Sequence, residues 1–141
     1  MKHVSILLLA FLLAVGVSAV SSETEPSEQA PSERAREGGR LYEFYCVNCH
    51  GPNGAGDGPT AEVLSVPPAN LTTLASDNGG EFPADRVIRS IDGRERNAAH
   101  GSAMPIWGLG FQDGSSDLDQ EHEVKRRIEA LTEFLRSIQA E

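Results

Sequence analysis

The chain contains two cysteines, and both lie in one heptapeptide, YCVNCHG, at residues 45–51. Two residues separate Cys46 from Cys49, and His50 follows directly. Four kinds of chemistry use such a pair: a disulfide, a redox-active dithiol, a structural zinc site and the covalent attachment of haem. Each requires a different structural context, so the choice among them restricts the fold more than any other feature of the sequence.

Three of these alternatives find little support along the chain. A disulfide between these cysteines would close a very small loop and would stabilise the fold little. A thioredoxin-like dithiol requires alternating strands and helices, and the sequence has no run with the period-2 alternation of a strand long enough to count. A structural zinc ion takes four protein ligands. The motif supplies only three, and neither His100 nor His122 lies at a spacing typical of a fourth.

Covalent haem accounts for all three residues of the motif. The two-residue spacing allows the sulfurs of Cys46 and Cys49 to bond to the vinyl groups along one edge of the porphyrin. The next residue, His50, then lies beneath the iron as its proximal ligand. The pattern C-x-x-C-H is a haem-attachment signal. We therefore predict one covalently bound haem c.

A distal ligand is expected from the segment HGSAMPIWG, which contains Met104, the single methionine after the initiator. Met104 lies in a loop flanked by glycine and proline and not on an apolar helical stripe, which disfavours an ordinary core role. Thioether ligation raises the reduction potential of haem iron. We predict Met104 as the distal iron ligand, with His100 as the rival candidate. His122, in the first turn of an acidic helix, is expected to lie at the surface.

The first residues predict export. Lys2 precedes an apolar run over residues 4–17, and Val17-Ser18-Ala19 fits a signal-peptidase site. We interpret residues 1–19 as a cleaved signal peptide, and we expect a periplasmic location, which agrees with haem attachment outside the cytoplasm. An uncleaved membrane anchor is the alternative. With the anchor retained, the chain would contact a membrane directly. With the signal peptide cleaved, it would reach a membrane only through a partner complex.

Charge restricts the class of partner. The formal net charge is −9, and loss of Lys2 with the signal peptide makes it −10. An acidic protein of this size is a poor candidate for binding nucleic acid. It favours a redox donor and acceptor with a basic docking surface. Four arginines lie near the predicted ligand loop, at positions 86, 89, 94 and 96. Acidic residues are interspersed among them, which favours a balanced solvated surface over a docking patch.

Composition divides the chain into three segments. After the signal peptide, residues 20–33 are rich in Ser, Glu and Pro, which predicts a disordered linker, or a tether if the signal is retained. Residues 34–141 form the predicted domain. A helix is expected to start near Pro31-Ser32, with Ser32 as its N-cap. This helix contains Gly38-Gly39, which costs roughly 1 kcal/mol per glycine and suggests that another backbone packs closely there.

Hydrophobic periodicity predicts further helices. One covers residues 84–92 and stops at Gly93, and one or two helical turns are expected within residues 60–65. A long C-terminal helix is capped by Asp117 or Asp119. Its apolar residues recur at steps of three and four: Val124, Ile128, Leu131, Leu135 and Ile138. The rest of residues 51–83 and 93–117 is expected to be irregular. The fold class is therefore all-α with long loops.

These segments together resemble the class I c-type cytochromes, and in particular the exported, monohaem bacterial members. GRLYEFYCVNCHG is similar to the N-terminal helix of that family, LTEFLRSI at 131–138 to its C-terminal helix, and GSAMPIWG to the loop that supplies the distal methionine. The resemblance covers residues 35–139. It implies a cytochrome c-like fold, with the two terminal helices packed around one haem and crossing near the glycine. It also implies that a proline carbonyl, of Pro67 or Pro68, accepts a hydrogen bond from the proximal imidazole.

The resemblance implies electron transfer by iron that cycles between Fe(II) and Fe(III) with both axial ligands retained, and no enzyme activity of the chain by itself. Trp107 packs either beside the haem or in an ordinary core. Two other functions stay open: a haem c subunit of a larger membrane oxidoreductase or oxidase, and a haem sensor or catalytic haem protein with an exchangeable sixth ligand. The acidic segment 111–123 has no counterpart in the resemblance.

Overall fold

The structure, a computed structural model, describes residues 29–95, 103–112, 114 and 116–140. This part of the chain contains helices and no strand, so the predicted all-α fold is confirmed. The α-helices are α1 (Gln29–Tyr45), α2 (Val47–His50), α3 (Ala84–Asp92), α4 (Trp107–Gly110) and α5 (Asp117–Ser137). Two short 3₁₀ helices cover Ala61–Val63 and Ser76–Asn78.

Helices α1 and α5 form the main packing contact of the fold. The predicted apolar stripe of α5 is confirmed, since Val124, Ile128, Leu131 and Leu135 are buried. Tyr42 of α1 is buried with them. The helices approach most closely at Gly38, where an added Cβ would overlap the carbonyl oxygen of Ala130 and lie 2.8 Å from the Cβ of Phe134. The predicted close backbone contact at this glycine is confirmed.

Two helix starts differ from the prediction. Helix α1 begins at Gln29, before the expected start near Pro31, and takes in residues 29–33 of the predicted linker. A proline fits the first turn because its missing N–H has no helical partner there. Ser32 is therefore inside the helix and is not its N-cap. In α5 the N-cap is Ser116, and Asp117 and Asp119 lie in the first turn, where their charges suit the positive end of the helix dipole.

Helix α3 has the predicted bounds, and Gly93 follows it with φ of 70°, a left-handed conformation that favours glycine. The first 3₁₀ helix lies within the predicted residues 60–65. The prediction that residues 93–117 are irregular is wrong at α4, which lies within this segment. Four residues are too few to leave a periodic signal.

Some sequence predictions fall on residues outside the described part. They are the signal peptide at 1–19, residues 20–28 of the linker, and the side chains of Arg96 and His100. Across residues 29–95 and 103–140, the described helices include none with the length and apolar character needed to cross a membrane.

Candidate haem site

The cysteine motif lies where α1 gives way to α2. The N–H of Cys46 donates to the carbonyl of Tyr42 (2.8 Å), and the N–H of His50 donates to the carbonyl of Cys46 (2.9 Å). The motif is thus wound in helical turns. Residues three and four apart in a helix face the same side. Cys46, Cys49 and His50 accordingly line the same cavity.

The loop after the motif folds back and satisfies the last carbonyls of α2. Gly56 N–H donates to the carbonyl of His50 (2.9 Å), and Gly58 N–H donates to that of Cys49 (3.1 Å). Thr60 donates to the carbonyl of Asn48 through its N–H (3.0 Å) and its hydroxyl (2.7 Å). A Cβ at Gly58 would overlap that same carbonyl, so only glycine fits. The C-terminal carbonyls of a helix need such partners, and here they fix the backbone beneath His50.

A buried tyrosine ties this loop to α1. The hydroxyl of Tyr42 donates a 2.6 Å hydrogen bond to the carbonyl of Gly51, directly after the motif. Burial is the largest of the causes that raise the pKa of Tyr42 to about 12, with smaller contributions from Cys46 and Asp57. The phenol therefore remains protonated at neutral pH and keeps donating this bond.

A backbone carbonyl fixes the orientation of the proximal candidate. Nδ1 of His50 lies 3.1 Å from the carbonyl oxygen of Ala69. A carbonyl can only accept, so Nδ1 carries the proton and Nε2 keeps a free lone pair for a metal. The prediction that the carbonyl of Pro67 or Pro68 accepts this hydrogen bond is wrong. The carbonyl of Pro68 instead faces the loop after the motif: a Cβ added at Gly56 would overlap the Pro68 carbonyl oxygen.

The cavity beside the motif has a volume of about 390 Å³ and mainly apolar walls. α3 contributes Val87 and Ile91, and α5 contributes Leu131 and Leu135. Further apolar lining residues come from the loops: Leu64, Val66, Leu71 and Leu74. Met104 also lines this cavity and packs against the core while remaining partly exposed. The structure thus brings the four predicted haem-site residues to one cavity.

Trp107 lies both in the wall of the cavity and against the core, the two positions expected for it. Its ring lines the cavity and packs edge-on against Tyr45 (5.1 Å between centroids). It also stacks on the fully buried ring of Phe111 (5.2 Å). α4, which begins with this tryptophan, is thereby anchored in the core directly after Met104. His122 is exposed, as predicted.

The thiol of Cys46 has the character expected of an apolar site. Burial, assisted by the neighbouring Cys49, raises the pKa of Cys46 to about 12, so its thiol is protonated at neutral pH. Both cysteines are free thiols in this structure. Among the described residues, no three histidine, cysteine, aspartate or glutamate side chains gather as zinc ligands would. Paired thiols, an oriented imidazole and a thioether in one apolar cavity fit a covalently bound haem.

A family model described as cytochrome C oxidase, cbb3-type, subunit III matches residues 33–118. The chain belongs to this family. It is therefore a c-type cytochrome that binds haem c covalently and transfers electrons. No curated protein and no solved structure matches the chain.

Sequence reasoning missed two polar residues in the wall of the cytochrome's cavity. Arg86 and Ser90 line it from α3, beside Val87 and Ile91. Arg86 is exposed, as expected of a solvated surface, and it also lines the cavity. Its spacing of four from Ser90, next to an apolar pair with the same spacing, was the available signal.

Proposed function

We propose that Cys46 and Cys49 hold a single haem and that His50 and Met104 are the axial ligands of its iron. The observation that carries this proposal is the shared cavity of the four side chains, together with the Ala69 carbonyl that leaves Nε2 of His50 available. When bound, the haem supplies a one-electron Fe(II)/Fe(III) couple. A sulfur ligand favours the reduced form and gives a higher potential than a second histidine would.

The chain's own residues serve electron transfer and not bond-making chemistry. The hydrogen bond from His50 and the aromatic packing of Trp107 hold the ligand-bearing backbone in place, so little needs to move when an electron arrives. The apolar walls exclude water from most of the ring. We infer a class I, monohaem carrier of the bacterial type that is not itself an enzyme, within a domain that begins with α1 at Gln29.

The proposed location follows from the first residues of the chain. A signal peptide at 1–19, followed by a linker that ends before α1 at Gln29, would deliver the domain to the periplasm. The net charge of −9 suits a redox donor and acceptor with a basic docking surface, because opposite charges accelerate encounter.

The distal ligand is tested by spectroscopy on the oxidised holoprotein. We expect the weak far-red sulfur-to-iron charge-transfer band, and we expect Met104→His to abolish it. The same variant lowers the midpoint potential by on the order of 0.1–0.3 V, because nitrogen replaces sulfur. His100→Ala is the matched control and keeps both properties. A wild-type protein without the band, or rapid carbon monoxide binding to its reduced form, contradicts the assignment and favours an exchangeable sixth ligand.

The second candidate is a haem c subunit of a larger membrane oxidase, and the family description favours it. A retained N-terminal segment would tie such a subunit to the membrane, with residues 20–28, before α1, as the tether. N-terminal sequencing of the native protein distinguishes the two. A start near Val20 supports the free carrier, whereas an intact N-terminus together with co-purification of an oxidase supports the subunit.

A further inference from the structure

A second feature of the molecule lies at the end of α3, where one arginine binds two carboxylates. The guanidinium of Arg94 donates from Nε and Nη2 to the two oxygens of Asp92, each at 2.7 Å. It donates from Nη1 and Nη2 to the two oxygens of Glu121, each at 2.8 Å. We call these three residues the Arg94 clamp. Bidentate pairs of this kind fix orientation more strictly than a single ion pair.

The clamp joins two separate elements of the fold. Asp92 is the last residue of α3, Arg94 follows its C-cap, and Glu121 lies near the start of α5. Hydrogen bonds from the guanidinium are the largest cause of the lowered pKa of both carboxylates. Both are therefore ionised at neutral pH, so all the donating groups of the arginine retain charged acceptors.

The same clamp is in contact with the element that follows Met104. Gly108 of α4 is buried, and a Cβ there would meet the carboxylate of Asp92 and the side chain of Arg94. The fit leaves no room for a side chain. The backbone of α4, four residues after Met104, therefore rests directly on the clamp.

We propose that the Arg94 clamp is a positioning device that keeps the distal methionine at the haem iron. Gly108 lies four residues after Met104, so the clamp supports α4 and, through it, the backbone next to Met104. This inference rests on the proposed ligation by Met104. It gives the acidic segment 111–123 a role, because Glu121 lies in that segment and supplies half of the acceptors.

The test measures how readily an external ligand replaces the methionine. Imidazole binding to the oxidised holoprotein is titrated for wild type, Arg94→Ala and Gly108→Ala. Loss of the clamp removes the support of α4, so Met104 leaves the iron more often, and we expect imidazole to bind about ten-fold more tightly in both variants. The far-red band should also disappear at a lower temperature than in wild type. Arg94→Lys keeps the charge but loses the bidentate geometry, and should show most of the effect.

Arg126→Ala is the matched control. Arg126 also binds two carboxylates, those of Glu37 and Glu123, and it joins α1 to α5, whereas the Arg94 clamp joins α3 to α5 and contacts Gly108 of α4. Its variant should keep the wild-type imidazole affinity, even where thermal unfolding followed by circular dichroism shows a similar loss of stability. Equal imidazole affinities for Arg94→Lys and wild type would refute the proposal that the clamp positions Met104. Equal increases in imidazole affinity for the Arg94 and Arg126 variants would refute it as well. A wild-type protein without the far-red band refutes Met104 ligation instead.

Discussion

At the scale of single residues, backbone carbonyls of the cytochrome fix the orientation of side chains at the candidate haem site. The Ala69 carbonyl sets the tautomer of His50, and the carbonyl of Gly51 accepts the hydroxyl of Tyr42. Neither contact can be found from side-chain patterns, since every residue has a carbonyl.

Arg86 is the one lysine or arginine among the described residues that line the cavity. No ion pair is found for it within the described part of the chain, and haem carries two carboxylates that can serve as partners.

Replacing Arg86 tests this residue. Arg86→Gln removes a positive charge from the cavity wall, and a nearby cation disfavours Fe(III). We expect the midpoint potential to fall by on the order of 10–60 mV, as measured by redox titration of the purified holoprotein. Arg89→Gln is the control, because Arg89 lies on the same helix and outside the cavity wall. Equal shifts in the two variants would assign the effect to net charge alone.

At the scale of elements, the crossing of α1 and α5 determines the geometry of the fold. Gly38 lies at the contact with no space for a methyl group, whereas a Cβ at Gly39 would lie 3.4 Å from the nearest ring carbon of Phe134. The two adjacent glycines thus have different reasons to be there. One is required by a close backbone approach, and the other occupies ordinary helix surface.

The pair provides a prediction with its own control. Gly38→Ala should lower the free energy of unfolding by about 1–3 kcal/mol, since the helices must separate to admit the methyl group. Gly39→Ala should leave it unchanged or raise it by up to about 1 kcal/mol, because alanine is the better helix former. Urea unfolding of the holoprotein measures both. A larger loss for Gly39→Ala than for Gly38→Ala would be inconsistent with the crossing described.

The elements that could be predicted from sequence are those with a repeated signal. Five apolar residues at steps of three and four indicate α5, of which the first four lie in the helix and Ile138 is its C-cap. The apolar pair of α3 followed by Gly93 defines that helix to the residue. α4 has only four residues, so no periodicity could indicate it. The four proposed haem-site residues come from a local motif and a single methionine. The Ala69 acceptor and the Arg94 clamp depend on tertiary contacts and leave no comparable pattern.

At the scale of the whole molecule, acidic side chains dominate the charge, and several of them are held by arginines. Hydrogen bonds from Arg94 lower the pKa of Asp92 and Glu121, and hydrogen bonds from Arg126 and Arg127 lower that of Glu123. A carboxyl with a lower pKa in the folded state than in the unfolded state stabilises the fold above its unfolded pKa. That contribution is lost as the pH falls through the folded value.

The cytochrome should therefore lose stability on acidification. Below about pH 4.5, the ordinary pKa of glutamate, the unfolded state binds more protons than the folded state. The free energy of unfolding therefore decreases as the pH is lowered through that range. Urea unfolding followed by circular dichroism from about pH 6 to about pH 3 measures this. Glu123→Gln should flatten the dependence. Stability that rises on acidification would show that these ion pairs do not contribute as described.

Mass spectrometry of a tryptic digest of the native holoprotein determines whether this chain carries one haem c on Cys46 and Cys49. Cleavage after Arg40 and Arg86 releases the peptide 41–86, which contains the whole motif. We expect this peptide to carry the mass of one haem, joined through both cysteines and retained after acid–acetone extraction. The unmodified peptide, with two free thiols or a disulfide between them, would refute covalent attachment at this motif.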